Sequence, residues 1–378
     1  MPDTIDLTTS TSDLVSWFQV EFPHLVKTMC ASTHHYDETT INPYHIEGSI
    51  FTHTMMVCLQ AQNFVPENGY VRWSTLLHDI GKPLARKVNE EKQRVNFIGH
   101  EGISAFLSLD VMNKSSLSVD DKVLIFKIIA LHGSLFNFIK SDGSVKYELL
   151  ETFKNEKTLL HHLLYQVKAD AAGRFWKEGT ASAISNVAFD NVKNVVDQLV
   201  DNTPIMQIDD NPQLIILCGP PCSGKSTERE KILLSHPGMV VISRDDLVEQ
   251  VVVKYNLSGY NEAFNFLNEN KEIEKNEVSN LIESLTLDAK QHNKSVLVDM
   301  TMMSKKRRRS WINTFPSNYK KHCILFLKGF DKLMEHSENR EMETGKRISR
   351  QVMLDMMTTF TLPMYSEGFD TISYELFE

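Results

Sequence analysis

Eight residues, Gly219-Pro220-Pro221-Cys222-Ser223-Gly224-Lys225-Ser226, restrict the fold of this 378-residue chain more than any others. They fit the pattern G-x-x-x-x-G-K-S/T, follow an apolar run at residues 214–218 and lead into a helical stretch from Thr227. A loop of this kind belongs between a buried strand and a helix. Its glycines let the backbone wrap an anion, and the N–H groups at the helix start face that anion. Gly219, Ser223, Gly224, Lys225, Ser226 and Thr227 are therefore the expected contacts to ATP or another nucleoside triphosphate. Lys225 suits the β/γ phosphates and the Ser226 hydroxyl suits Mg²⁺.

The texture on either side differs. After the loop, short apolar runs at 239–242, 296–298 and 323–327 alternate with helical stretches, as buried parallel strands do. Before it, residues 12–200 carry apolar residues at helical spacing, for example Val123-Phe126-Ile129-Ala130. The one strand candidate there is 93–98. Asp201-Asn202-Thr203-Pro204 and Asp209-Asp210-Asn211-Pro212 break the pattern between them. The expectation is an N-terminal all-α bundle over residues 1–205, a linker at 206–213, and a C-terminal α/β phosphate-loop domain with a central parallel sheet over 214–378.

Ligands of open α/β sheets sit beyond the carboxyl ends of the strands. The run 239–242 ends in Ser243-Arg244-Asp245-Asp246, so Asp245 is read as a base for an attacking hydroxyl, with Lys225 beside it. Capping of the next helix is the competing reading for Asp245 and the preferred one for Asp246. Asp299 either positions substrate or a magnesium-bound water, or simply ends a strand. Arg340, Lys346 and Arg347 lie in a polar segment where a lid arginine would meet the γ-phosphate. The run Lys305-Lys306-Arg307-Arg308-Arg309 either meets nucleic-acid phosphates or is a solvated helix face.

From the phosphate loop, Ser243-Arg244-Asp245-Asp246, Val298-Asp299 and the basic lid segment, residues 213–365 resemble the 5′-hydroxyl polynucleotide kinase family. The resemblance implies that Lys225 and Ser226 bind ATP and Mg²⁺, that Asp245 is the base toward a 5′-OH, and that a lid arginine, assigned to Arg340, contacts the γ-phosphate. Arg244 and Asp299 would contact substrate. One departure stands out: where the family often carries an arginine after the aspartate pair, this chain has Val248.

The N-terminal half holds ten of the 14 histidines. His53 lies in an apolar helical stretch, and His78-Asp79 precedes Ile80-Gly81-Lys82-Pro83, where Gly81 is read as permitting a turn. His100, His132 and Asp170 follow. Imidazole and carboxylate ligands suit Mn, Fe, Co, Ni or Zn, and such a cation makes hydroxide available near neutral pH. Lys82 and Arg174 are candidates for holding phosphate oxygens. In order and type, these residues resemble the H…HD…D pattern of the HD phosphohydrolase superfamily over residues 40–180, with the two extra histidines of its two-metal members. By that resemblance His53, His78, Asp79 and Asp170 are core metal ligands, and His100 and His132 serve a second metal. His45 and Glu47 are expected to line the substrate pocket, whereas His34, His35, His161 and His162 are read as ordinary.

Residues 1–212 hold 18 Lys+Arg against 26 Asp+Glu, and the remainder 22 against 23, which argues against non-specific duplex binding by the whole surface. The polar N-terminus lacks a signal-peptide pattern, no apolar run is long enough for a bilayer, and five scattered cysteines suit a reducing cytosol. The fusion resembles bacterial and phage HD–polynucleotide kinase end-healing enzymes. That resemblance implies RNA or DNA ends as substrates, a ligase as functional partner, and a bacterial or phage-infected cytoplasm. A 2′,3′-cyclic, 2′ or 3′ phosphate would be removed from one end and a phosphate added to the 5′-OH of the other. The alternatives are a small-molecule or nucleoside kinase joined to a nucleotidase, and a nucleotide-sensing switch.

Overall fold

The computed structural model describes residues 4–177, 184–206, 211–346 and 348–377, so Arg347 and part of the expected linker lie outside the described residues. The chain divides into two compact units. One comprises residues 1–202 with Met357–Leu362, and the other comprises Thr203–Met356 with Pro363–Phe377.

The first unit is built from helices α1 (Thr11–Glu21), α2 (Pro23–Ala31), α3 (Ile50–Phe64), α4 (Gly69–Leu77), α5 (Lys82–Ala85), α6 (His100–Met112), α7 (Val119–Leu131), α8 (Glu148–Thr152), α9 (Lys157–Ala172) and α10 (Asn186–Gln198). A small antiparallel pair, β1 (Lys87–Asn89) and β2 (Arg94–Asn96), interrupts them. The sequence pointed only to the second of these strands. Helix starts follow the local chemistry. Ser49 accepts from Thr52 N to cap α3, and Ser118 and Asp121 cap α7 reciprocally.

Helix α4 explains where the unit's centre lies. Gly69, Val71, Trp73, Ser74, Thr75, Leu76 and Leu77 are all buried, so the last five residues of α4 are enclosed on every side. Its hydroxyls satisfy themselves locally, Ser74 on Val71 O (3.1 Å) and Thr75 on Arg72 O (3.0 Å). The chain therefore delivers the two residues after α4, His78 and Asp79, into the interior. Helices α3, α7 and α9 pack on α4, and α9 turns Leu160, Leu163, Leu164 and Val167 inward.

The second unit contains strands β3 (Gln213–Cys218), β4 (Val240–Ser243), β5 (Val296–Asp299), β6 (Lys320–Leu327) and β7 (Thr371–Leu376) in the order β4-β5-β3-β6-β7, all parallel. Its helices are α11 (Lys225–Ser235), α12 (Arg244–Lys254), α13 (Tyr260–Glu269), α14 (Lys271–Glu274), α15 (Asn280–Gln291), α16 (Lys305–Thr314), α17 (Phe330–Thr344) and all but the last two residues of α18 (Arg350–Thr358). Every residue of the central strand β3 is buried. The sequence did not point to β7, an edge strand in which Ser373 and Glu375 interrupt the apolar residues. Asp299 pairs in register with Leu217 on one side and Ser243 on the other. That register brings the phosphate loop, Asp245 and Asp299 to one edge of the sheet.

No helix among the described residues is long and apolar enough to cross a membrane.

Candidate functional sites

Five helices each contribute to a cluster in the first unit. His53 comes from the first turn of α3, His78 and Asp79 from the end of α4, His100 from the start of α6, His132 from the end of α7, and Asp170 from the last turn of α9. All of these except His100, which is partly exposed, are buried. Asp79 lies between two histidine groups. Its Oδ2 is 3.2 Å from His78 Nε2 and 3.7 Å from His53 Nε2, while its Oδ1 is 3.3 Å from His100 Nε2 and 3.9 Å from His132 Nε2. Asp170 Oδ1 is 3.1 Å from His53 Nε2 and 4.0 Å from His78 Nε2.

The imidazoles are oriented by what stands behind them. Nδ1 of His78 lies 2.7 Å from Thr75 O, that of His100 2.8 Å from Phe97 O, and that of His132 2.7 Å from Ile129 O. A carbonyl only accepts, so each Nδ1 carries a proton, and in the neutral imidazole that a metal ligand requires each Nε2 presents a lone pair. His100 Nε2 and His132 Nε2 then face each other at 3.1 Å, lone pair to lone pair. Two nitrogens at roughly 2.0–2.1 Å from one cation can have that separation. His78 Nε2 is buried with no hydrogen-bond partner among the described residues. These orphaned donor atoms fit one or two divalent cations: His53, His78, Asp79 and Asp170 around one position, and Asp79, His100 and His132 around the other.

The carboxylates and imidazoles of the cluster shift one another: against its burial, His53 is raised by Asp170 and Glu47. Burial opposes charge on Asp79, but His78 and Lys82 outweigh it and hold the carboxyl well below the usual range. Asp170 is likewise held low against its burial by Arg174 and His53. Burial, with His100 beside it, lowers His132 to about 4, which keeps its imidazole neutral. Lys82 Nζ sits 2.7 Å from Asp79 Oδ2, and Arg174 Nη2 sits 2.7 Å from Asp170 Oδ2, so both cations reach the cluster.

Three expectations change here. Glu47 is held behind His53 instead of facing solvent. Its side chain is fully buried, with Oε1 2.9 Å from His53 Nδ1 and 2.8 Å from His45 Nδ1, and Oε2 accepts from Phe175 N. That geometry lets it orient His53, a ligand candidate. Gly81 has an ordinary φ of −85°, so no special turn requires it. A side chain there would strike α6 instead, with Ser104 N only 2.5 Å from the added Cβ. His34 is not ordinary: it is buried, stacks on His45 at 4.0 Å and lies 3.2 Å from Lys82 Nζ. Its sequence context carried no signal, because its partners come from other segments.

In the second unit the phosphate loop ends at α11, whose N-cap Gly224 is left-handed (φ 102°), as is Cys222 (φ 64°). Lys225 is buried and donates to Gly219 O (3.0 Å) and Pro220 O (2.6 Å). Burial lowers its pKa and Asp299 acts in the opposite direction. Ser226 and Thr227 are exposed at the helix start, and Ser223 is buried.

Asp245 is half exposed. Tyr260 donates to its Oδ1 at 2.6 Å, and Arg340 Nη2 lies 3.7 Å from its Oδ2. The helix cap is neither aspartate. Ser243 Oγ accepts from Asp246 N, so the capping expectation for Asp246 is corrected. Asp246 is gripped by Arg229 at 3.0 and 2.5 Å, and Arg229 also reaches Asp299 Oδ2 at 3.3 Å. Arg229 follows Lys225 by four residues, a spacing that places both on one helix face. That was the only hint of its role in the sequence, and Tyr260 had none. Arg244 lies 3.4 Å from Glu274 and 5.5 Å from the Phe264 ring centre.

The basic run is divided. Lys305, Lys306, Arg307 and Arg309 are exposed, but Arg308 is fully buried, with 2.9 and 2.7 Å contacts to Glu367. It also donates to Met302 O and Met303 O, so Arg308 supports the fold and meets neither solvent nor a ligand at the surface. Val248 is likewise buried in the α12 core.

Residues 50–156 match the family model of the HD domain, and residues 214–363 match that of the AAA domain. The chain therefore carries a helical HD domain followed by a P-loop kinase domain with a parallel sheet. Comparison with the curated proteins finds no match. Among solved structures, the chain is similar to one from the Pnkp1/Rnl/Hen1 RNA repair complex, with 20% identity over 40% of this chain and 45% of that one and a TM-score of 0.32. It is also similar to one from the PezAT chromosomal toxin–antitoxin system of Streptococcus pneumoniae, with 16% identity, 36% and 57% coverage and a TM-score of 0.27. A gluconokinase from Sinorhizobium meliloti 1021 matches with 15% identity, 44% and 84% coverage and a TM-score of 0.28. The chain thus spans less than half of the RNA repair chain it matches.

Proposed function

We propose that this chain heals the two ends of a nucleic-acid break, with RNA as the preferred substrate. The HD domain removes a 2′,3′-cyclic, 2′ or 3′ phosphate, and the kinase domain transfers the γ-phosphate of ATP to a 5′-OH. The observation that carries the reading is the pairing on one chain of an Asp79-centred histidine cluster with a phosphate loop on the same sheet edge as Asp245. Removing and adding phosphate at one position would be futile, whereas at opposite ends of a break the two steps yield 3′-OH and 5′-phosphate, the ends a ligase joins.

In the HD domain, His53, His78, Asp79 and Asp170 would hold one divalent transition metal, and Asp79, His100 and His132 a second. When bound, such cations supply Lewis acidity and lower the pKa of coordinated water. Glu47 keeps His53 aimed inward, and the carbonyls of Thr75, Phe97 and Ile129 do the same for His78, His100 and His132. Lys82 and Arg174 supply positive charge beside the carboxylates, where phosphate oxygens would gather.

In the kinase domain, the loop from Gly219 to Thr227 cradles the triphosphate, Lys225 neutralises it and Ser226 faces Mg²⁺. Asp245 takes the proton of the attacking 5′-OH, held in place by the Tyr260 hydroxyl at 2.6 Å. Arg340, already 3.7 Å from Asp245, is placed to stabilise charge on the transferring phosphoryl group. Arg229 ties Asp246 to Asp299 and so holds the ends of β4 and β5 together.

The test is a labelled strand bearing a 5′-OH and a 2′,3′-cyclic phosphate, incubated with ATP and a panel of divalent metals, with both ends resolved. Free nucleosides serve as competing acceptors. Conversion at both ends supports the reading. Phosphorylation of nucleosides alone would replace it with the metabolic alternative.

A further inference from the structure

The wall of the kinase centre next to Asp245 is formed by α13. Ala263 and Leu267 turn into the core shared with α12. Tyr260 and Phe264, also four residues apart, lie on the side of Asp245 and Arg244, and Tyr260 packs in addition against the edge of that core. Their ring planes are within 19° of parallel, with centroids 6.4 Å apart. Phe264 is 40% exposed although it is large and apolar. Cations flank the pair, each with a carboxylate beside it: Glu274 at Arg244, Glu249 at Lys346 and Asp245 at Arg340. The Arg244 guanidinium lies 5.5 Å from the Phe264 centroid and Lys346 Nζ 4.3 Å from the Tyr260 centroid, and Arg340 is beside Asp245.

Aromatic faces interleaved with cations next to a carboxylate match one kind of acceptor better than others. A flat heterocycle stacks on the rings, a phosphodiester meets the cations, and the hydroxyl between them reaches the base. A sugar acid or other polar small acceptor would instead call for hydrogen-bonding groups where Phe264 stands. The alternative route to the acceptor through position 248 is closed, because Val248 is fully buried.

We propose that the Tyr260–Phe264 face of α13 is the acceptor subsite, stacking the terminal nucleobase of the strand whose 5′-OH faces Asp245 while Arg244 meets the adjoining phosphodiester. This rests on the 5′-kinase reading above and specifies what that kinase recognises. Stacking of a base on an aromatic side chain is sequence-tolerant, so all four terminal bases are accepted and the presence of a base is what is read.

The experiment is steady-state kinetics of the full chain with MgATP and two acceptors: a 5′-OH oligonucleotide, and the same strand with an abasic 5′-terminal residue. For the wild type, the abasic strand is expected to raise the acceptor KM about tenfold or more. Phe264→Ala is expected to raise KM for the intact strand by a similar factor, to lose discrimination between the strands, and to leave kcat and the KM for ATP within about twofold. Phe264→Trp restores discrimination. If Phe264→Ala does not fold, Phe264→Leu keeps the apolar side chain without the π face and is expected to behave the same way. Equal KM for both strands in the wild type, or discrimination that survives loss of the Phe264 ring, overturns the subsite while the 5′-kinase reading stands. No transfer to either strand defeats that reading and the subsite with it.

Discussion

The centres of the two domains are built from opposite materials. In the HD domain, buried side chains from five helices converge on Asp79, and their orientation is fixed by backbone carbonyls and by Glu47 behind them. In the kinase domain, much of the centre is backbone: a loop with left-handed Cys222 and Gly224, and strand ends that carry half-exposed side chains such as Asp245. A centre of buried side chains depends on every supporting atom, because water cannot replace a lost partner. A centre of backbone turns and exposed carboxylates tolerates change at its edges. The kinase domain places its most demanding buried charge, Arg308, in a fold-supporting contact with Glu367 rather than with the residues around Asp245.

That last point offers the largest expected effect. Arg308→Ala strands Glu367 without its partner and should destabilise the kinase domain by about 3–5 kcal/mol. Lys306→Ala, two residues away and exposed, should stay within about 0.5 kcal/mol. Chemical denaturation compares them, and similar values would mean that Arg308 is as dispensable as its neighbours. Next comes Glu47→Gln, expected to cost about 10–100-fold in metal affinity or hydrolysis. Metal analysis of the purified variant reads this, and full occupancy with unchanged hydrolysis would remove Glu47 from the site.

A smaller loss is expected across the comparison, in the more open centre. Tyr260→Phe removes the bond to Asp245 but keeps the ring, so kcat for 5′-phosphorylation should fall about tenfold, in keeping with the loss of one charge-assisted hydrogen bond. The acceptor KM should hold. A rise in KM at constant kcat would show that the hydroxyl binds substrate instead of positioning the base.

The smallest effect concerns pH. His162, in the HD domain away from the cluster, accepts from Asn68 Nδ2 at 2.9 Å, and burial lowers its pKa to about 4. The unfolded chain binds that proton more readily, at about pH 6.5. The stability His162 contributes is therefore complete above pH 6.5 and lost as the pH falls toward 4. Melting curves of the wild type and His162→Asn across that range should diverge in slope, and parallel slopes would exclude His162.

Much of both centres was legible in the sequence, for a physical reason. Phosphate loops and histidine–aspartate pairs are short-range patterns, and a loop between a strand and a helix brings its own geometry. The supporting partners were not legible. Arg308 meets Glu367 across 59 residues, and Arg229 meets Asp299 across 70. Arg308 stands in a run of five basic residues that reads as uniform, yet only the fold decides which one turns inward. Gly81 was noticed for its flexibility, although what requires it is the approach of Ser104 from another helix. The edge strand β7 was missed because one of its sides is covered less completely than those of the central strands.

The claim that the two centres act independently on opposite ends is tested most directly with one doubly labelled strand and three proteins. The strand carries a 5′-OH and a 2′,3′-cyclic phosphate, and the proteins are the wild type, His78→Ala and Asp245→Ala. The account predicts that the wild type converts both ends, that His78→Ala phosphorylates the 5′ end and leaves the cyclic phosphate, and that Asp245→Ala does the reverse. Loss of both conversions in either variant, or conversion of neither end by the wild type, would contradict it.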